Sequence, residues 1–330
     1  MVIRDKLIGG FMGMCLGDAL GAAHERRKNE YTGVLDKPTT AAGRFQSPKY
    51  SAIGQVTDDA SMSIALLQCI YDNNGYDEDN VIFAYLKWAN SNMPFLGKNT
   101  RNLFKGIKTM NGYISRYKKF SSVDIESNGS LMRAYPLILL SLWDQDIYKY
   151  GLDDTILTNP SPINQDGVLI YLAAGRLILK NIYTPQEIVT TCHGLCQTDE
   201  IKKAIGDAIN GEKRNIIKNK GWICHAIYIS FYVLFRIDNF KEGIDYIINQ
   251  GGDTDTNACI GGGLLGLVYG YDNMIMNNIT AKNVDIMLKS DSLTGEIHMD
   301  IMYHPKSGLH LLEIILDKFS DKLIDVYQTS

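Results

Sequence analysis

Glycine at every fourth position is the feature that most restricts how this chain can fold. Gly9, Gly13, Gly17 and Gly21 recur inside an apolar stretch near the N-terminus, and Gly262, Gly266 and Gly270 repeat the spacing far downstream. A four-residue period places side chains along one face of a helix, so helices with one smooth face are expected over residues 4–23 and 253–269. Each interior glycine costs about 1 kcal/mol relative to alanine, which only a compensating contact can offset. Two smooth faces let helix backbones approach more closely than side chains normally permit, and the two helices are expected to pack together. The same order sets aside a secretory leader, which Arg4, Lys6 and the following apolar run superficially imitate. No uninterrupted apolar stretch reaches the length that spans a bilayer, so no membrane partner is expected.

The second glycine helix is preceded by Gly251-Gly252-Asp253-Thr254-Asp255-Thr256-Asn257, and an earlier cluster, Thr57-Asp58-Asp59, also opens an apolar periodic segment. Asp253, Asp255 and Thr256 offer only hard oxygens, which suit Mg²⁺, Ca²⁺ or Mn²⁺ rather than zinc or copper. If the clusters meet, four carboxylates share a small volume, raising one another's pKa unless cations neutralise them. Taken singly, each cluster reads equally well as a helix N-cap.

Alternating strand patterns are nearly absent, and helical periodicity predicts helices over 60–71, 79–89, 101–109, 130–142, 166–179, 185–195, 200–209, 222–237 and 241–248. The fold class is therefore all-α. Apolar periodicity is similar on both sides of Asn159-Pro160-Ser161-Pro162, so one domain over residues 1–330 is expected. Residues 26–56 form a polar, period-free stretch beside Glu25; loops this long are uncommon in compact domains unless functional, and a lid is the natural expectation. A net charge of −4 over 330 residues gives no basic stripe for a phosphate backbone, excluding nucleic acid as the expected partner. The six cysteines lie mostly in apolar segments, and only Cys192 and Cys196 are close-spaced; free thiols in a reducing, cytoplasmic setting are expected.

Gly17-Asp18-Ala19-Leu20-Gly21 with Glu25 four residues on, Thr57-Asp58-Asp59, Asn128-Gly129-Ser130-Leu131-Met132-Arg133, and Gly251-Gly252-Asp253-Thr254-Asp255-Thr256 occur in order. Together they resemble the ADP-ribosylglycohydrolase family, from residue 7 to about residue 270. The resemblance implies a compact, single-domain orthogonal helical bundle with a binuclear magnesium centre, Mn²⁺ being the alternative, in a cleft that accepts ADP-ribose. It implies Thr57, Asp58, Asp59, Asp253, Asp255 and Thr256 as metal ligands and Glu25 as the carboxylate beside the metals. It places Ser127, Asn128, Gly129 and Gly252 at the substrate, and His193 at the distal ribose. His193 alone reads more readily as a core residue; the other histidines are read as structural. Where some relatives carry a Gly-Ser-rich phosphate loop ahead of Asn128, this chain carries Asp124-Ile125-Glu126-Ser127.

Cleavage of a ribosyl glycosidic bond passes through an oxocarbenium-like state helped by a carboxylate and an activated water, and paired metals can hold the ribose hydroxyls and that water. Glu25, Asp58 and Asp59 are the candidate acids and bases. The resulting expectation is a monomeric magnesium-dependent hydrolase releasing ADP-ribose from a protein side chain or small conjugate. The alternatives are a non-enzymatic ADP-ribose-binding or structural member of the same fold, and a metal-dependent phosphohydrolase.

Overall fold

In a computed structural model that describes residues 2–25, 31–40, 50–91, 93, 95–290 and 300–319, helix α1 (Ile3–Ala22) is buried on every side from Gly9 to Ala22. A helix apolar all round belongs at the centre of a core, and the bundle is built about it. Two short antiparallel strands follow, β1 (Pro38–Thr40) and β2 (Tyr50–Ile53). Then come α2 (Asp58–Asn73), α3 (Glu78–Asn90), α4 (Lys98–Phe104), α5 (Met110–Phe120), α6 (Tyr135–Leu140), α7 (Ile147–Ile156) and α8 (Pro162–Lys180). The second half runs α9 (Pro185–Leu195), α10 (Asp199–Asn210), α11 (Ile223–Arg236), α12 (Phe240–Asn249), α13 (Thr254–Tyr269), α14 (Tyr271–Met276), α15 (Asn278–Leu288) and α16 (Pro305–Lys318). The all-α expectation holds, in one compact body.

The glycine faces meet. A Cβ on Gly13 would stand 2.3 Å from the carbonyl oxygen of Gly262, one on Gly17 1.9 Å from that of Ala258, and one on Gly21 2.3 Å from that of Thr254. Those separations leave no room for any side chain, so α1 and α13 touch backbone to backbone over most of their length. Gly270 departs from the expectation: it ends α13 in a left-handed conformation, φ 73°, instead of extending the face.

Other differences have local causes. The helix expected over 130–142 is split into a 3₁₀ turn at Asn128–Ser130 and α6, which starts with Pro136 in its first turn, where the missing N–H does no harm. The helix expected over 101–109 stops at Phe104 ahead of Gly106, φ 80°. Asn111-Gly112, a pair common in turns, lies in the first turn of α5, where the Thr109 side chain accepts the Gly112 N–H. The β1–β2 pair sits inside the stretch expected to be structureless; the lid expectation for residues 26–56 falls partly on 26–30 and 41–49, outside the described residues. All six cysteines are free, and all but Cys196 are buried. No helix among the described residues is long and apolar enough to cross a membrane.

Candidate active site

Three helix ends converge on one cleft. The first junction joins α1 to α2 through Asp18, which lies fully buried on α1. Thr57, the N-cap of α2, makes no capping bond with its own side chain. Asp18 takes over that task from another helix: its Oδ2 accepts the N–H groups of Thr57 at 2.9 Å and Ala60 at 3.0 Å. These are orphan donors that any helix start must satisfy. The Thr57 hydroxyl lies 2.8 Å from both Asp18 Oδ1 and Asp59 Oδ2. One hydroxyl proton cannot serve two carboxylates, so this trio needs a further positive charge or a retained proton. Burial pushes the Asp18 carboxyl up to about 7, against the pull of the Ala60 and Thr57 donors.

At the second junction, Gly251 and Gly252 adopt φ of 73° and 82° ahead of α13, a conformation that side chains resist. A Cβ on Gly252 would also stand 2.6 Å from the Ile216 carbonyl oxygen. This turn delivers Asp253, Asp255 and Thr256 into the cleft, and the Thr254 hydroxyl pins it to α1 by donating to the Gly21 carbonyl at 2.8 Å. Glu25 follows directly from the end of α1. Oxygen atoms of Glu25, Asp253 and Asp255 all lie within 4.8 Å of one another.

The third wall is the 127–130 turn, braced from every side. Asn164 donates to the Ser127 carbonyl at 2.7 Å and to the Ser130 hydroxyl at 3.1 Å, and Asn159 donates to the Ser127 hydroxyl at 3.0 Å. Buried Arg133 donates to the Gly129 carbonyl at 2.6 Å while paired at 2.9 Å with buried Asp154, whose other oxygen accepts the Tyr85 hydroxyl. The turn in turn fixes the acids: Asn128 Nδ2 donates to Asp253 Oδ2 at 2.8 Å.

The cleft so formed has a volume of about 560 Å³, within the range that takes a drug-sized ligand. Glu25, Asp58, Asp59, Asp253, Asp255 and Thr256 share its lining with Ser127, Asn128 and Gly129. The lining also includes the start of α4, where Gly97 donates its N–H to Asp58 Oδ2 at 2.6 Å, and Phe120, Ile125 and Met132. Two expected residues are not among those lining the cleft: Thr57, whose hydroxyl lies against Asp18 and Asp59, and Gly252, which turns the backbone ahead of α13. His193 stands elsewhere, with Nε2 against Gly206 of α10, and is not among the residues lining the cleft.

These groups fit a hard divalent cation. Asp59 Oδ1 is buried without a hydrogen-bond partner. Burial, then the charges of Asp18 and Asp58, holds the Asp59 carboxyl well above the ordinary value; burial, then Glu25 and Asp59, does the same to Asp255. Carboxylates gathered so closely and buried so deeply call for positive charge, and every donor offered is oxygen.

The role of Asp18 was not apparent from its motif, although an aspartate in the middle of an apolar, glycine-faced helix is a visible signal. Lys220 was not apparent either; it reaches in from residues 211–222 to pair with Glu25 and lies 3.5 Å from Asp253. No motif marks that lysine.

An all-helical bundle whose acidic helix starts meet at such a cleft defines a class, and the comparisons supply its family. The ADP-ribosylglycohydrolase family model matches residues 1–284. The chain is 25% identical over 285 residues to the ADP-ribosyl dinitrogen reductase glycohydrolase of Rhodospirillum rubrum, covering 82% of this chain and 88% of that protein. It is 22% identical over 288 residues to the ADP-ribosylarginine hydrolase Tri1 of Pseudomonas putida, covering 82% and 72%. A solved structure described as an ADP-ribosylglycohydrolase-related protein complex superposes with a TM-score of 0.61 at 20% identity, covering 87% of this chain and 98% of that one. The chain belongs to the ADP-ribosylglycohydrolase family, a family of hydrolytic enzymes.

Proposed function

We propose that the protein is a magnesium-dependent hydrolase that cleaves the glycosidic bond between ADP-ribose and a protein side chain or small conjugate. The observation that carries this reading is the convergence of Glu25, Asp58, Asp59, Asp253 and Asp255, from three stretches of chain, on one cleft floor beside the Ser127–Gly129 turn. Relatives named for removal of ADP-ribose from dinitrogen reductase and from arginine support it.

Bound Mg²⁺ or Mn²⁺ would supply Lewis acidity to ribose hydroxyls and a water of lowered pKa. Thr57, Asp58, Asp59, Asp253, Asp255 and Thr256 are the residues that would hold the metals. The chain's remaining work is positional. Asp18 fixes the start of α2, Asn128 fixes Asp253, and the Gly97 N–H fixes Asp58, so the carboxylates meet substrate without reorganising. Phe120, Ile125 and Met132 offer an apolar surface for a base, and the 127–130 turn borders the place of a ribose and its phosphates. Glu25, Asp58 and Asp59 are the groups placed to receive a proton from the attacking water or to return one to the leaving group. A monomer is the proposed working unit.

The test is a substrate panel of ADP-ribosyl-arginine, ADP-ribosyl-serine, O-acetyl-ADP-ribose and a simple phosphoester, with Mg²⁺ or with EDTA. Free ADP-ribose released only with metal is the expected result. Orthophosphate release from the phosphoester, with the ADP-ribose conjugates untouched, would assign the site to phosphoryl chemistry. Binding of ADP-ribose with no turnover of any conjugate would make the protein a binder.

A further inference from the structure

Lys220 lies outside the motifs and outside the chemistry just described, yet its ammonium stands on two of the acids the cleft gathers. It pairs with Glu25 Oε1 and lies 3.5 Å from Asp253 Oδ1, two of the three carboxylates whose oxygens lie within 4.8 Å of one another. An ammonium and a divalent cation compete for those oxygens, because at ion-pair distances their like charges repel.

The backbone beneath Lys220 is held firmly. Asn219 turns the chain in a left-handed conformation, φ 53°, and the Asn219 carbonyl accepts the Trp222 N–H at 2.8 Å. The Gly221 carbonyl accepts the Asn128 N–H at 2.9 Å, and the Ile223 N–H donates to the Glu126 carbonyl at 2.9 Å. Trp222 Nε1 donates to Glu126 Oε2 at 2.7 Å. The side chain is another matter, being 46% exposed on a flexible four-carbon stem. A fixed root and a movable tip allow the ammonium to leave the acids without disturbing the turn that carries Asn128.

It also has somewhere to go. Lys220 lines a second groove together with Asp124, Glu126, Ser127 and Trp222. The acidic residues of that groove are the ones that replace a Gly-Ser-rich loop ahead of Asn128.

We propose that Lys220 is a built-in competitor for the metal site: its ammonium neutralises Glu25 and Asp253 until a divalent cation displaces it into the groove beside Asp124 and Glu126. Lys220 thereby lowers metal affinity while stabilising the chain in the absence of metal, and occupancy follows the concentration of free divalent ion. This inference rests on the metal reading of the cleft.

The experiment is isothermal titration of the full-length protein with Mg²⁺ and with Mn²⁺, paired with thermal melts at zero and saturating metal. Wild type, Lys220→Met, which keeps the stem and drops the charge, and Asp124→Asn are compared. Lys220→Met is expected to bind both ions on the order of tenfold more tightly, to melt lower than wild type without metal, and to match it at saturating metal. Asp124→Asn is expected to bind several-fold more weakly. Equal or weaker affinity in Lys220→Met, or a melting deficit that metal does not remove, overturns the competition and leaves Lys220 a structural ion-pair partner. Unchanged affinity in Asp124→Asn overturns the groove as the destination of the ammonium. If neither wild type nor Lys220→Met binds either ion, the metal reading itself fails, an outcome distinct from equal binding in both.

Discussion

Replacing Gly17 by alanine adds one methyl group, and the structure says where it goes. Its carbon would stand 1.9 Å from the Ala258 carbonyl oxygen and 2.4 Å from the carbonyl carbon, both backbone atoms of α13. Neither atom can rotate away, so relief to an ordinary contact separates the helices by about 1.5 Å there, and a gap of 0.5–1 Å already forfeits a quarter to a half of each dispersion contact. Overpacking of this kind costs about 1–3 kcal/mol, and a rigid backbone partner puts Gly17→Ala at the upper end. Alanine returns about 1 kcal/mol of helix propensity, leaving a net loss of about 2 kcal/mol. Gly194, on α9, is the control, because a Cβ there meets nothing within 4 Å; Gly194→Ala should stabilise by roughly 0.5–1 kcal/mol through propensity alone. The same chemical change therefore moves the urea midpoint in opposite directions at the two sites. If Gly17→Ala matches or exceeds wild type, backbone contact between α1 and α13 is not what the glycines provide.

Position along the same helix pair should separate stability from activity: Gly9→Ala, clashing with Gly266 far from the cleft, should lower stability while leaving kcat/KM nearly intact. Gly21→Ala, clashing with Thr254 between Glu25 and Asp255, should cut kcat/KM by at least an order of magnitude, and equal kinetic effects would break the link between helix spacing and site. Asp18→Asn keeps the shape of the cap but weakens its hold on Thr57, and loss of such support typically costs 10–100-fold in metal affinity or activity; full activity in this variant would show that Asp18 only caps α2. Exhaustive chelation should abolish hydrolysis and added Mg²⁺ or Mn²⁺ restore it, measured as released ADP-ribose, whereas activity that survives EDTA would end the metal mechanism. Arg133→Met strands the buried Asp154 carboxylate and should cost about 3–5 kcal/mol near neutral pH, read by urea denaturation. Burial already holds Asp154 above its ordinary value with Arg133 beside it, so without the guanidinium it will take up a proton when folded. A pKa raised by folding contributes stability that fades as pH rises, and the deficit of Arg133→Met should be larger at pH 8 than at pH 5.

The parts of the fold that were legible in the sequence are those where a local pattern and a tertiary demand coincide. Glycine at every fourth position announced both a helix and the close contact it makes, because no other use of those residues offsets their cost. A helix that escaped notice shows the opposite case. Met110–Phe120 fully buries only Tyr113, with Met110, Tyr117 and Phe120 partly buried against the core, and its Asn111-Gly112 pair imitates a turn. The break before α6 was hidden because Leu131 to Leu142 is apolar apart from Arg133 and Ser141, and apolarity without a clear period conceals where a helix stops.

The candidate site divides along the same line. Carboxylates that would hold metal could be proposed because the charged oxygen ligands of hard cations come from Asp and Glu and because helix starts collect them in short runs. Residues that act on those carboxylates carry no such mark. Asp18 works 39 positions from Thr57, and nothing local to Asp18 says that its partner is the start of another helix. Arg133 and Asn164 look like ordinary members of amphipathic helices until the 127–130 turn is seen lying against them. His193, which the resemblance assigns to the distal ribose, is not among the residues lining the cleft; its Nε2 lies against Gly206 of α10. The glycine spacing pointed to the pairing of α1 with α13; what the sequence could not state is that the start of α2 joins them. Close contact of α1 with α13 brings Glu25 beside Asp255, and Asp18 then draws the start of α2 onto the same floor. The spacing of two helices thus fixes the spacing of the acids, and a change in either should be felt in both.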